Sequence, residues 1–164
     1  MGYKKKSWQE KMADKENLPK VLKLEKGFPC YNALHKIGLD AGDSVVLVNP
    51  REIEEEMKKV PLGKLTTIIH ICKNIAMKHN VKGCCTLTSG IHIMTAANAA
   101  EEMKKEGKKN DNFYWRTLKA NGELNEKYPG GAEAHKKLLQ KEGYKIIQKG
   151  KKYVVENFKE HLVK

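Results

Sequence analysis

The stretch from Phe113 to Gly143 constrains this chain more than any other. Phe113-Tyr114-Trp115-Arg116-Thr117 leads into Ala120-Asn121-Gly122-Glu123-Leu124, then Tyr128-Pro129-Gly130-Gly131, and closes with Leu138-Leu139-Gln140-Lys141-Glu142-Gly143. The aromatic run predicts a short strand, Asn121-Gly122 a turn, Pro129-Gly130-Gly131 a tight corner, and the final segment a helix stopped by glycine. On these residues alone the stretch is structure without chemistry.

The segments around it are regular. Ser44 to Val48 is a β-branched run between Gly42-Asp43 and Asn49-Pro50, and reads as a strand. Asn49-Pro50-Arg51-Glu52 starts a helix with an asparagine cap and proline in the first turn, and the helix ends before Pro61. Its block Glu54-Glu55-Glu56 reads as a solvated face. Ile68, Ile71, Cys72, Ile75, Ala76 and His79 recur at three- and four-residue steps, which makes an amphipathic helix that buries Cys72. Val81 to Gly90 reads as a loop, and a further helix runs from about Ile93 to Glu106. Ile146 to Val155 is a hairpin turning at Lys149-Gly150, with Phe158 and Leu162 pinning a short helix after it. At the other end, Val21 to Ile37 holds a strand or short helix and then a helix ending near Gly38.

The stretch from Phe113 to Gly143 resembles the C-terminal domain of the O6-alkylguanine-DNA alkyltransferases and their alkyltransferase-like relatives. That family carries Pro-Cys-His-Arg-Val, a turn glycine, a Gly-Gly pocket loop and Leu-Leu-x-x-Glu-Gly. Arg116, Gly122, Leu124, Gly130, Gly131, Leu138, Leu139, Glu142 and Gly143 fall where the pattern wants them. Val60-Pro61-Leu62-Gly63-Lys64-Leu65 is similar to the family's Ile-Pro-x-Gly-x-Val. The resemblance covers about residues 60 to 155. In this register the nucleophilic cysteine position is Tyr114 and the histidine position is Trp115, while Glu142 is retained.

The resemblance implies an α/β (α+β) fold, a winged helix-turn-helix domain over 60–164 behind a shortened N-terminal α/β segment over 21–59; residues 1–20, rich in lysine and poor in apolar area, read as a basic flexible arm. It also implies a base pocket formed by Tyr114, Trp115, Arg116, Tyr128, Gly130 and Gly131. DNA contacts would come from Thr95, Ala96 and Asn98 on the second helix, and from Lys149, Lys151 and Lys152 on the wing. The expected function is recognition of alkylated guanine in duplex DNA for repair, without catalysis. A phenol with a pKa of about 10 attacks an alkyl carbon far more weakly than a thiolate does.

Several alternatives stand beside that reading. Cys84 or Cys85 could accept an alkyl group from a rearranged loop, which would make the chain an active methyltransferase. The scaffold could also bind nucleic acid generally, or a protein. Tyr114 and Trp115 could be a pair of core aromatics, the alanines of the second helix could pack against a neighbour, and the hairpin lysines could simply guard an edge. The family's flipping tyrosine slot is Ile68, and no arginine is available near Thr95 to act as its finger. Glu101 and Glu102 would repel phosphate if they faced it.

Charge favours a nucleic-acid partner. The 164 residues carry 32 Lys and Arg against 20 Asp and Glu, a net charge of +12, and lysine-rich surfaces bind phosphate through counterion release. No run approaches the length of a membrane span, and no secretory signal is present. Cys30, Cys72, Cys84 and Cys85 are spaced for neither a disulfide framework nor zinc, so the chain reads as a reduced, cytoplasmic protein; a monomer is expected. No cofactor and no metal are expected, although His70, His79 and His92 could cluster near Cys72 or Cys84. Trp8 is the one anchor expected in the basic arm. A repair-protein partner completes the expectation.

If the wing lysines neutralise phosphates, replacing Lys149, Lys151 and Lys152 together by alanine weakens binding to every duplex alike. The salt dependence then flattens by about one unit of slope per lost contact. Affinities measured across a salt series check this, and an unchanged slope would assign the lysines to solubility.

Overall fold

The computed structural model describes residues 5–13 and 18–164; the remainder of the expected arm, 1–4 and 14–17, lies outside the described residues. The elements run α1 (Trp8–Ala13), β1 (Lys20–Lys23), α2 (Tyr31–Lys36), β2 (Ser44–Leu47), α3 (Pro50–Lys58), β3 (Thr66–Thr67), α4 (Ile68–Lys78), β4 (Gly83–Cys84) and α5 (Thr86–Lys105). After a single 3-10 turn over Tyr114–Arg116 come β5 (Thr117–Leu118), α6 (Gly131–Lys141), the hairpin β6 (Ile146–Lys149) and β7 (Lys152–Val155), and a 3-10 turn over Phe158–His161.

Local signals account for several of these. Asn49 caps α3 through a hydrogen bond from the Arg51 amide to Oδ1 at 2.9 Å, and Thr67 caps α4 by accepting from the His70 amide. Glu52 does not close a capping box on Asn49. It accepts instead from His79 at 2.7 Å, and so ties α3 to α4. Of the three glutamates expected on a solvated face only Glu55 is exposed, since Glu54 pairs with Lys58 and Glu56 with Lys59.

Two expectations need correction. The arm is not a flexible tail over Trp8–Ala13: Ser7 and Glu10 form a reciprocal capping box, with Glu10 N to Ser7 Oγ at 3.1 Å and Ser7 N to Glu10 Oε2 at 3.0 Å. Met12 is buried and Trp8 packs on the main core. The second correction concerns Val81 to Gly90, which is not a loop. It forms β4 and the first turn of α5, whose N-cap is Cys85, with the Thr88 amide 3.5 Å from its sulfur.

The start of β4 also removes the boundary expected at residue 60. Strand β2 pairs antiparallel with β1 and parallel with β4, through Val45↔Gly83 and Val46↔Cys84. One core then gathers Val46, Val48, Ile53 and Met57 from before the boundary with Ile71, Ile75, Ile93, Ala97 and Tyr114 from after it. The N-terminal segment and the following helices are therefore one packed unit. A second core, with Leu65, Leu118, Leu124, Leu139 and Val155, joins the β3–β5 pair, α6 and the hairpin.

Two glycines separate backbone cost from packing cost. Gly143 ends α6 at φ +92 with open space where a Cβ would stand, whereas Gly122, at φ +81, would place a Cβ 2.3 Å from the Phe158 ring. Gly143→Ala should lower stability by about 1–2 kcal/mol for the left-handed conformation alone. Gly122→Ala should lower it by about 2–4 kcal/mol, because overpacking is added. Urea denaturation of the two variants gives the comparison.

Candidate nucleic-acid site

The residues expected to form a base pocket are brought together, but into a buried brace. The Glu142 carboxylate, at the C-terminus of α6, accepts from Trp115 Nε1 at 2.6 Å and from Arg116 Nε at 2.9 Å. A third donor, Arg116 Nη2, reaches it at 3.2 Å, and Nη1 donates to the Val60 carbonyl at 3.0 Å. The guanidinium also lies 4.4 Å over the Phe113 ring. With Arg116 only 6% exposed, this ion pair is nearly dry, and removing one partner would strand a buried charge.

Tyr114 points inward. It is 2% exposed, its hydroxyl donates to Glu101 Oε1 at 2.9 Å, and its ring meets Trp115 and Tyr128 edge-on at 5.3 and 5.1 Å. Burial, and then the Glu101 carboxylate, push the phenol well above its ordinary pKa, so it is a neutral donor at physiological pH. Tyr128 is buried too, and its hydroxyl donates to the Thr117 carbonyl at 2.8 Å. The segment Tyr114–Arg116 is a 3-10 turn rather than the expected strand; the strand is only Thr117–Leu118.

His135, which carries no role in the sequence reading, completes the brace. It is fully buried, accepts from the Asn125 amide at Nδ1 (3.0 Å) and donates from Nε2 to the Trp115 carbonyl (2.7 Å). The two contacts fix one neutral tautomer. Its signal was available: His135 lies four residues before Leu139, on the buried face of α6. Glu101, expected to repel phosphate if it faced a duplex, faces the Tyr114 hydroxyl instead. Glu102 likewise turns inward in function, accepting from the Trp8 and Gln9 amides at the start of α1.

An open cleft of about 260 Å³ lies beside this brace. Ile68, Leu87, Gly90, Ile91 and Met94 form one wall, and Leu118, Lys119 and the loop from Asn125 to Tyr128 form the other. Of the expected pocket residues Tyr128 reaches the lining, whereas Tyr114, Trp115 and Arg116 stand outside it. Gly130 and Gly131 make the corner that starts α6 and do not line the cleft. Leu87 and Ile91 are 51% and 52% exposed, an apolar stripe on the first half of α5. The placement corrects the expectation for Thr95 and Ala96, which are 5% and 0% exposed and face the core. Asn98 is half-buried and donates to the Met94 carbonyl at 2.9 Å.

The hairpin lysines Lys149, Lys151 and Lys152 are all exposed, with Lys152 3.2 Å from Glu123. The cysteines are free and buried. Cys84 bonds Ser89 at 3.2 Å, and its hydrogen bond with Cys72 and its burial push the thiol far above the ordinary range. Burial likewise pushes Cys30 up to about 12. No group of three or more His, Cys, Asp or Glu residues is arranged to hold a metal among the described residues, and His92 is turned to the Val48 carbonyl.

The brace predicts a pH dependence. Burial lowers the His135 pKa from 6.5 to about 4, so between those values the unfolded chain takes up a proton that the folded chain refuses. Stability should be flat in this respect above pH 6.5 and fall by roughly 3 kcal/mol as pH drops toward 4. His92, lowered by its own burial, acts in the same direction. Denaturation at stepped pH therefore needs His135→Gln beside the native chain: the variant should lose most of the slope between pH 6.5 and 4.5.

No family model and no curated protein matches the chain. Two solved structures do. One is S. pombe Atl1 in complex with damaged DNA containing O6-carboxymethylguanine, 16% identical, covering 70% of this chain and 94% of that one, with a TM-score of 0.50. Another is S. pombe ATL in complex with DNA, 17% identical over the same shares, with a TM-score of 0.51. The chain thus has the fold of an alkyltransferase-like protein.

Proposed function

We propose that this protein binds duplex DNA carrying an alkyl group on guanine O6, holds the altered nucleotide at the cleft beside α5, and transfers nothing. The observation that carries this reading is the replacement at the nucleophile position: Tyr114 is buried, protonated and held by Glu101. The S. pombe proteins of the same fold were both captured on DNA, which supports the same class of partner here.

In this reading α4 and α5 form a helix-turn-helix and β6–β7 its wing. Tyr114, Trp115, Arg116, Glu142 and His135 are a rigid backing that fixes Tyr128 and the loop from Asn125, while the cleft itself receives the base. Leu87 and Ile91 take the place of a finger arginine. Apolar side chains inserted between base steps unstack and kink a duplex, and these two are already presented to solvent. Thr95 and Ala96 support the helix from behind, and Lys149, Lys151 and Lys152 hold backbone phosphates. The four unpaired thiols support a reducing, cytoplasmic setting.

No helix among the described residues is long and apolar enough to cross a membrane. The methyltransferase alternative has no support in the geometry. Cys84 and Cys85 are 2% and 3% exposed and neither lines the cleft beside α5.

The test is binding and mass together. Fluorescence anisotropy should show tighter binding to duplex containing O6-methylguanine than to its intact counterpart, and the intact mass of the protein should be unchanged after incubation. Leu87→Ala with Ile91→Ala should reduce affinity for the damaged duplex about tenfold or more, consistent with burial of two half-exposed apolar side chains. A methyl group found on any cysteine would sink the non-catalytic reading, and equal binding to both duplexes would remove lesion recognition.

A further inference from the structure

A second cleft, of about 370 Å³, opens where the end of α2, a different face of α4, and β4 meet. It shares no lining residue with the cleft beside α5. Its floor is apolar and closed, with Cys72, Ala76 and Cys84 all buried. Its rim is apolar and open: Ile37 is 49% exposed and Met77 70% exposed. A concave apolar surface with a few polar groups at its edge is the usual form of a binding site, and methionine's flexible thioether suits it to adaptable docking.

The cleft's own lining carries charge of one sign. Lys73 and Lys82 line the cleft, no carboxylate does, and the exposed Lys36 and Lys78 follow or precede the two rim residues in the chain. Lys82 reaches Asp43 only at 3.7 Å and Lys78 reaches Glu52 at 3.5 Å, with both lysines more than half exposed. These loose surface pairs leave the cations able to turn toward an incoming anion. A phosphate backbone would satisfy the lysines but not the concave apolar centre. A polypeptide with both carboxylates and an apolar side chain satisfies both.

We propose that this cleft docks an acidic segment of a partner protein, with one large apolar side chain seated between Ile37 and Met77 and flanking carboxylates meeting Lys73 and Lys82. Because the two clefts share no residue, the segment docks whether or not a duplex occupies α5. The proposal does not rest on the lesion reading.

The experiment uses a fluorescein-labelled twelve-residue synthetic peptide rich in Asp and Glu, with two leucines four residues apart, and the full chain labelled at methionine methyls. The peptide should shift the Met77 methyl and raise the anisotropy. Met77→Glu should weaken binding about tenfold or more, by loss of a buried side chain and by repulsion. Lys73→Glu with Lys82→Glu should weaken it at low salt and much less at high salt. Both variants change exposed side chains, and thermal melting checks that they fold. Replacing the peptide's leucines by serine should abolish the Met77 shift, and replacing its carboxylates by amides should reduce affinity. Undiminished binding by Met77→Glu, equal binding of the amide peptide, absence of any Met77 shift, or displacement of the peptide by intact duplex would each overturn the proposal.

Discussion

The Glu142 carboxylate is the constraint on which the site depends. It collects an indole N–H and a guanidinium in a nearly water-free position, and these donors belong to the turn Tyr114–Arg116, while Glu142 itself ends α6. Charge-assisted bonds to a planar guanidinium are directional as well as strong, so the turn and the helix end cannot rotate independently. The third arm of the guanidinium reaches the Val60 carbonyl and extends the tie to the segment between α3 and β3. His135 adds a neutral link from the same turn to the loop bearing Tyr128. A wall of the cleft is thereby fixed from behind by groups that do not line it.

The other wall is fixed by a different device. Helix α5 is held along its length by α1, α3 and α4, and its alanines at 96, 97, 99 and 100 are buried in that contact. Small side chains bring the helices close and leave only the face with Leu87, Ile91 and Met94 turned away. The open cleft is the seam between two walls, one set by helix packing and the other backed by a buried ion pair.

How much of this could be read in advance follows from how local each signal is. The cap at Asn49, the periodicity from Ile68 to Ala76, the glycine stop at Gly143 and the lysine-tipped hairpin all lie within a few residues of what they specify, and the structure has each of them. The start of α5 escaped because its cap is Cys85, not a residue commonly found there, and because Thr86, Thr88, Ser89 and Gly90 look like loop. Helix α1 escaped although Ser7 and Glu10 spell a capping box, since a six-residue helix is unstable alone and is held here by Glu102, ninety-odd positions away. The direction of Tyr114 was illegible for the same reason. Nothing near it in sequence announces that Glu101 will accept its hydroxyl.

That pairing fixes the chemical character of Tyr114. A thiolate nucleophile needs surroundings that stabilise its deprotonated form. The Tyr114 hydroxyl has the opposite surroundings: an apolar interior and a carboxylate acceptor, both of which favour the bound proton. At the next position an imidazole can pass a proton through its two nitrogens, whereas an indole only donates, so the bond from Trp115 to Glu142 is static. The Glu142 carboxylate is a strut between the turn and the end of α6. With the inner face of the site closed in this way, the open surface in front of it is the cleft where Ile68, Leu87, Ile91 and Met94 stand.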